Sequence, residues 1–413
     1  MCPITPAPWS HDLAMEFTDL LGVAKSHQAW IVDIRRRLHQ LPELKYREIQ
    51  TKRLVLETLS GLGISEPLEL AETGVVATIG NGNGACIALR ADMDALPIQE
   101  TADVDFRSRV PGVMHACGHD CHTAMLLGAA KILKSIEDRI DGTVKLLFQP
   151  AEEGGAGGDR MVREGALANP RVDRIFGLHV WPTLPTGMIA GRADTMLAAT
   201  GSFRLVVRGL GGHAAFPHLA HDPIIAMSHI IAALQSVVAR ETDPLHPTVV
   251  SVTAVQGGSA YNVIPGEVVA IGTIRSLQTT ELPRIRESIR RIAEGIASGL
   301  RCEAILDQHP GDADYPATVN TPRCWNTARA VAAEFIPENQ IREMSPVMGG
   351  EDFAFYLEQV EGCFVALGTR NDAIGANHFV HTPMFKVDEN AFPLGTAMHV
   401  GFALRSLREL ATV

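Results

Sequence analysis

The densest cluster of metal-ligand side chains in this sequence is Cys117-Gly118-His119-Asp120-Cys121-His122. Thiolate, imidazole and carboxylate are the donors that Zn, Co, Ni or Mn accept. A zinc ribbon would need a second cysteine pair at a matching distance, and the sequence has none. Asp120 could instead cap a helix that starts near Thr123, which leaves Cys117 and His119 still to be explained. The pair Glu152-Glu153 follows an apolar strand and Pro150 and precedes Gly154-Gly155-Ala156-Gly157-Gly158. That glycine run lacks the Lys-Ser/Thr of a phosphate loop. Adjacent acids read either as a solvated face or as a divided pair. In the second case one carboxylate holds metal and the other takes a proton from metal-bound water.

Other polar residues carry two readings each. His179 stands in the apolar run Phe176–Trp181, and His381 in His378-Phe379-Val380-His381-Thr382-Pro383. Alone, the first reads as a core histidine and the second as a loop histidine, and either could ligate metal. His213, in Gly211-Gly212-His213-Ala214-Ala215, follows a strand and reads as part of a turn. Asn262 and Arg275 are either surface residues or contacts to a substrate carboxylate, since arginine binds carboxylates through two parallel bonds. Met348-Gly349-Gly350-Glu351-Asp352-Phe353 reads as a glycine turn opening a helix, whose amides would suit an anion.

The elements that must position these groups follow from hydrophobic periodicity. Helices are expected near Trp30–Leu41, Thr51–Leu62 and Thr123–Lys134, and strands over Gly74–Ile79, Ala85–Ala91, Thr143–Phe148 and Arg174–Val180. Asn81-Gly82-Asn83-Gly84 reads as a hairpin turn between the first two strands. Strands alternating with helices imply an α/β fold with a mostly parallel sheet flanked by helices. Asp92 and Asp94, Glu152 and Glu153, and His179 all fall at strand carboxyl ends, the edge where open α/β sheets bind ligands. From about Thr195 the pattern changes to strand Ser202–Val207, helix Pro223–Ala239, strands Thr248–Val255 and Glu267–Ile274, helix Glu281–Leu300 and strand Cys302–Leu306. This βαββαβ order is that of a ferredoxin-like module. We expect a catalytic domain formed by 1–194 and 309–413, interrupted by an inserted α+β domain at 195–308.

With 413 residues, 46% of them hydrophobic, the chain can bury two cores. A net charge of -11 without a basic stripe argues against a nucleic-acid partner. Met1–Leu20 lacks the apolar core of a signal peptide, and no stretch approaches the roughly 20 apolar residues of a membrane span. The seven scattered cysteines (2, 86, 117, 121, 302, 324 and 363) do not suggest a disulfide framework, so a reducing cytoplasm is expected.

Taken together, these segments resemble the aminoacylase and carboxypeptidase group of metallohydrolases, in the branch of hippurate hydrolases and auxin–amino-acid conjugate hydrolases. The resemblance rests on RRRLHQLPEL from Arg35, ALRADMDALPIQE from Ala88, MHACGHDCHTAMLLGAA from Met114, FQPAEEGG from Phe148, GLHVWP from Gly177 and GGHAAFPH from Gly211. It continues through NVIP from Asn262, GTIR from Gly272, MGGEDFAFY from Met348 and HTPMF from His381. The resemblance implies hydrolysis of the amide bond of an N-acyl amino acid at a pair of divalent metals (Zn, Mn, Co or Ni). A dipeptidase or carboxypeptidase on the same scaffold, or a non-catalytic metal-binding relative, are the rival readings. Cys117, His119, Glu153, His179 and His381 would be the ligands, and which of them bridges the metals stays open. Glu152 would be the general base and Asp94 the aspartate that orients a ligand. Asp92 stands where many relatives outside this branch have a metal-binding histidine. Asn262, Arg275 and the turn at Gly350 would meet the substrate. His213 would reach into a partner's site, which implies a homodimer joined through the inserted lid domain.

Overall fold

The computed structural model describes residues 19–308, 310, 311 and 313–411. The reading of Met1–Leu20 as lacking a signal peptide falls almost wholly outside these residues, as does Cys2. The other six cysteines are free thiols.

The main body contributes β1 (Leu68–Leu70), β2 (Gly74–Gly80), β3 (Cys86–Asp92), β4 (Thr143–Gln149), β5 (Arg174–Pro185) and β6 (Ile189–Gly191). Next come β7 (Ala199–Arg208), β8 (Thr248–Gly257), β9 (Glu267–Ser276) and β10 (Glu303–Asp307) of a separate module. The body then resumes with β11 (Ile341–Glu343) and β12 (Glu361–Arg370). Its eight-stranded sheet has the order β1-β2-β4-β3-β5-β12-β6-β11. The central run β4-β3-β5-β12 is parallel. Every residue of β3 and β4 is buried, as expected of inner strands covered on both faces.

The expected hairpin at Asn81–Gly84 does not form. β4 lies between β2 and β3, antiparallel to the first and parallel to the second. Strands buried along their whole length, such as β3 and β4, favour inner parallel positions over the edge of a meander. The short connection needs to cross only two inter-strand spacings, about 10 Å, which five extended residues cover.

Helices α1 (Gln28–Gln40), α2 (Ile49–Gly61) and α3 (His119–Ser135) precede the module, which supplies α4 (Pro223–Ser236) and α5 (Glu281–Gly299). α6 (Pro322–Phe335) and α7 (Phe392–Ala411) follow. α3 is buried along nearly its whole length, with α1 and α7 packed against it. It starts at His119 behind Gly118, four residues earlier than expected. Asp120 therefore lies inside its first turn and is not its cap.

The module's sheet has the order β8-β9-β7-β10 and is antiparallel throughout. Helices α4 and α5 pack on each other and on β7 and β9 around a core of their own. α5 buries Leu282, Ile285, Ile289, Ala293 and Ala297, the spacing of one helical face. One sequence expectation needs correction here. Pro223–Glu241 is long and apolar enough, by length and composition, to cross a bilayer. Its apolar residues are divided between the face packed on the sheet and an outer face bearing Ile224, Ile225 and Val238.

Candidate metal centre

Two backbone features deliver the polar cluster to the carboxyl edge of the parallel strands. At Gly118 the chain takes φ 96°, and a Cβ there would lie 2.4 Å from Val180 Cγ2, so glycine is required between Cys117 and His119. After β4 the turn through Glu152 and Glu153 is framed by two alanines with left-handed backbone, Ala151 (φ 55°) and Ala156 (φ 49°). Such conformations persist only where the surroundings hold them, and here four side chains do. Glu48 accepts from Ala151 N (3.0 Å), and Asp94 accepts from Glu152 N (3.0 Å) and Glu153 N (2.9 Å). Tyr315 donates to Glu152 O (2.5 Å) and accepts from Ala156 N (3.2 Å). Asp352 accepts from Gly158 N (2.8 Å).

The expected ligands come together. His119 donates from Nδ1 to Asp94 Oδ1 (3.2 Å), and its buried Nε2 has no hydrogen-bond partner. His179 donates from Nδ1 to Val180 O (2.7 Å), which leaves its Nε2 3.3 Å from Cys117 Sγ. His381, with φ 62°, places Nε2 3.0 Å from Glu153 Oε1, yet that oxygen is buried without a hydrogen bond. Ligand atoms that converge on a common centre approach one another in this way. One donor set, with its atoms within 4.8 Å of one another, is Cys117, His119 and His179. A second is Cys117, Glu153 and His381, so Cys117 belongs to both. Fixed Nδ1–H tautomers, an orphaned Nε2 and a mixed S, N, O donor set fit a pair of divalent cations.

Charge points the same way. Asp92, Asp94, Glu152, Glu351 and Asp352 are buried close together, and the guanidinium that faces Asp92, Glu351 and Asp352 is that of Arg90, at 2.7 to 3.0 Å. Burial, with Glu351 and Glu153 nearby, pushes the Glu152 carboxyl well up. Burial raises Glu351 to about 8 and Asp352 to about 6. The Cys117 thiol is also driven up, by burial and then by Glu153 and Glu152. Divalent cations in the donor sets would reverse the sign of this field.

A cavity of about 820 Å³ opens above the donors. Cys117, Glu152, Glu153, His179 and His381 line it, together with Arg275, Gly350 and an apolar wall that includes Trp181, Leu197, Val347 and Phe379. Arg275 donates to Met348 O (2.9 Å). The amides after Gly350 face carboxylates of the chain itself, Asp352 N lying 3.4 Å from Glu152 Oε1. The helix they open has only four residues, Ala354–Leu357, and Phe353 N donates to Glu351 Oε1 (2.9 Å). His213 and Asn262 do not line the cavity. Both are exposed on the module, where Gly212–His213 pairs with Val263–Ile264.

Several residues of the site carried no assignment from sequence. His122 donates from Nδ1 to Asp92 Oδ1 (2.6 Å) and accepts from Val180 N at Nε2 (2.9 Å), so neither nitrogen is free for metal. With Arg90 on its other oxygen, Asp92 is also fully engaged. Position within the densest ligand cluster was the available signal for His122. Arg90, Glu48 and Tyr315 offered none, because each acts through contacts distant in sequence.

Comparison with known proteins agrees with this geometry. Residues 88–405 match the model of peptidase family M20/M25/M40. The chain is 44% identical over 382 residues to the IAA-amino acid hydrolase ILR1-like 4 of Arabidopsis thaliana, covering 92% of this chain and 86% of that protein. It is 41% identical to thermostable carboxypeptidase 2 of Saccharolobus solfataricus, covering 92% of this chain and 96% of that protein. The crystal structure of the Bacillus subtilis YXEP protein, described as a dinuclear metal binding peptidase, superposes with a TM-score of 0.79 at 36% identity, covering 94% of this chain and 99% of the other. From the family match and from this extent of identity, the chain belongs to peptidase family M20/M25/M40.

Proposed function

We propose that this protein is a metal-dependent amidohydrolase that splits the amide bond of an N-acyl amino acid into a carboxylic acid and a free amino acid. The observation that carries the reading is the buried Nε2 of His119, which makes no hydrogen bond and meets Asp92 Oδ2 only at 3.7 Å, in a donor set that includes Cys117 and His179 and beside the Glu152-Glu153 pair. Cys117, His119, Glu153, His179 and His381 would hold two divalent ions, with Cys117 common to both donor sets. Asp94 fixes His119. When bound, such ions supply Lewis acidity and bring the pKa of water to about 7.

Glu152 takes the proton of the attacking water and returns it to the leaving nitrogen, a step worth roughly 10²–10⁴ in rate. Arg275, half buried on the cavity wall, pairs with the substrate carboxylate; Gly350, on the same wall, meets the substrate with its backbone, packed so closely on Thr200 that an added Cβ would lie 2.4 Å from Thr200 Cγ2. The apolar wall receives the acyl group.

His213 and Asn262 act on a second copy's cavity, through a homodimer joined by the module. Exposed Leu210, Phe216, Leu219 and Tyr261 near these two residues supply an apolar contact surface. Free thiols, mostly buried, suit a cytoplasmic location.

The test is metal content together with hydrolysis of hippurate, N-acetyl-methionine, indole-3-acetyl-alanine and a dipeptide with a free amine, before and after chelation. Amino-acid release from the N-acyl compounds that stops on chelation and returns with metal is expected. Turnover of the dipeptide alone would transfer the protein to the carboxypeptidase reading. Glu152→Gln should keep its metals while losing at least about a hundredfold in kcat.

A further inference from the structure

The tyrosine that holds the Glu152-Glu153 turn also stands where the chain returns from the module. Tyr315 N donates to Thr200 O and Thr200 N to Tyr315 O, each at 2.9 Å, at the start of β7. The preceding residue, Asp314, accepts two bonds of 2.5 Å from Arg286 on α5. Beyond this bridge the phenol reaches into the catalytic body. Its hydroxyl donates to Glu152 O and accepts from Ala156 N, and its ring packs edge-on against Phe355 at 5.8 Å. The donor and an acceptor position of the hydroxyl are therefore engaged on the turn. Although Tyr315 borders the cavity, its hydrogen is not free for substrate.

Continuous contacts thus run from α5 through Arg286, Asp314 and Tyr315 to the strained turn between Ala151 and Ala156. We propose that Tyr315 is a positioning residue that latches the Glu152-Glu153 turn to the root of the Ala199–Asp307 module, so that the seating of the module sets the geometry of base and ligand. The role in catalysis rests on the hydrolase reading above, whereas the latch itself does not. Packed and hydrogen-bonded connections of this kind can link two regions, but only a measured coupling shows that they do.

The test compares wild type, Tyr315→Phe, Asp314→Asn and the double variant. Hydrogen–deuterium exchange of the 151–158 segment in metal-free protein reads the latch without reference to activity. Loss of the hydroxyl should speed exchange there roughly 5- to 100-fold, the equivalent of its two hydrogen bonds. Asp314→Asn should do so to a smaller extent, and the double variant should match Tyr315→Phe alone. On the N-acyl substrate panel, Tyr315→Phe should lower kcat at least tenfold with KM within twofold, because substrate contacts are untouched. It should also weaken metal binding about tenfold in a chelator competition.

Unchanged exchange over 151–158 in Tyr315→Phe would overturn the latch. Additive effects of the two substitutions would overturn its tie to the module. If the wild type hydrolyses nothing in the panel, the hydrolase reading fails, and the exchange and metal experiments still decide the latch.

Discussion

His119 gives its Nδ1 proton to Asp94, and that one carboxylate also receives the backbone N–H groups of both Glu152 and Glu153. A single side chain thus orients His119 of α3 and the acid turn that follows β4. Asp94→Asn keeps the shape and removes the charge. The new amide N–H₂ must face at least one donor that the carboxylate accepted, and the His119 tautomer is no longer fixed. Metal affinity should fall about 10- to 100-fold, the usual cost of losing a partner that orients a ligand. A chelator competition measures this, and wild-type affinity would remove Asp94 from the role.

Of the sets Cys117–His119–His179 and Cys117–Glu153–His381, Cys117 is common to both, whereas His381 belongs only to the second. Cys117→Ser should therefore strip both metals, while His381→Ala should leave one of the two bound per chain. Elemental analysis after desalting distinguishes these outcomes. Equal stoichiometry in the two variants would show that the thiolate is not shared.

The candidate ligands came as a set from the resemblance; of these, Glu153 and His179 also fall at strand carboxyl ends, where an open sheet binds. Glu153, His179 and His381 each carried a bland alternative alone, and the structure brings all three beside Cys117. The supporting residues were not legible. Glu48 and Tyr315 meet the 151–156 turn across 103 and 159 residues, and nothing in their own neighbourhoods announces a distant backbone N–H. The hairpin expectation failed for a related reason. Local turn signals at Asn81–Gly84 describe a bend, but the burial of β3 decides which strand lies beside it.

Glu48 makes the stability of the fold depend on pH. Its carboxylate is buried, accepting from Tyr46 N, Ala151 N and Thr73 Oγ1, and burial raises its pKa to about 7 from an ordinary 4.5. The folded chain holds this proton after the unfolded chain has released it, so the contribution is complete below the unfolded value. It is then lost as pH rises towards 7, amounting to about 3 kcal/mol for this group. Glu48→Gln can keep its oxygen on Tyr46 N and Ala151 N while its N–H₂ donates to Thr73 Oγ1, and it does not titrate. The difference in unfolding free energy between variant and wild type should shift in the variant's favour between pH 5 and pH 7.5. Parallel curves in denaturant titrations across that range would mean that Glu48 does not titrate there.

His213 lies outside the cavity of its own chain, exposed beside Phe216 on the module. If it serves a second copy, each active site takes Glu152 from one subunit and His213 from the other. His213→Ala and Glu152→Gln homodimers would then both be inactive. A mixed dimer would contain one site with both residues intact and one with neither. Random exchange makes half the dimers mixed, so activity should recover to about a quarter of wild type for a two-fold dimer. Labelled subunits establish that exchange has taken place. Exchange without recovery would confine His213 to a role within its own chain, or to none in catalysis.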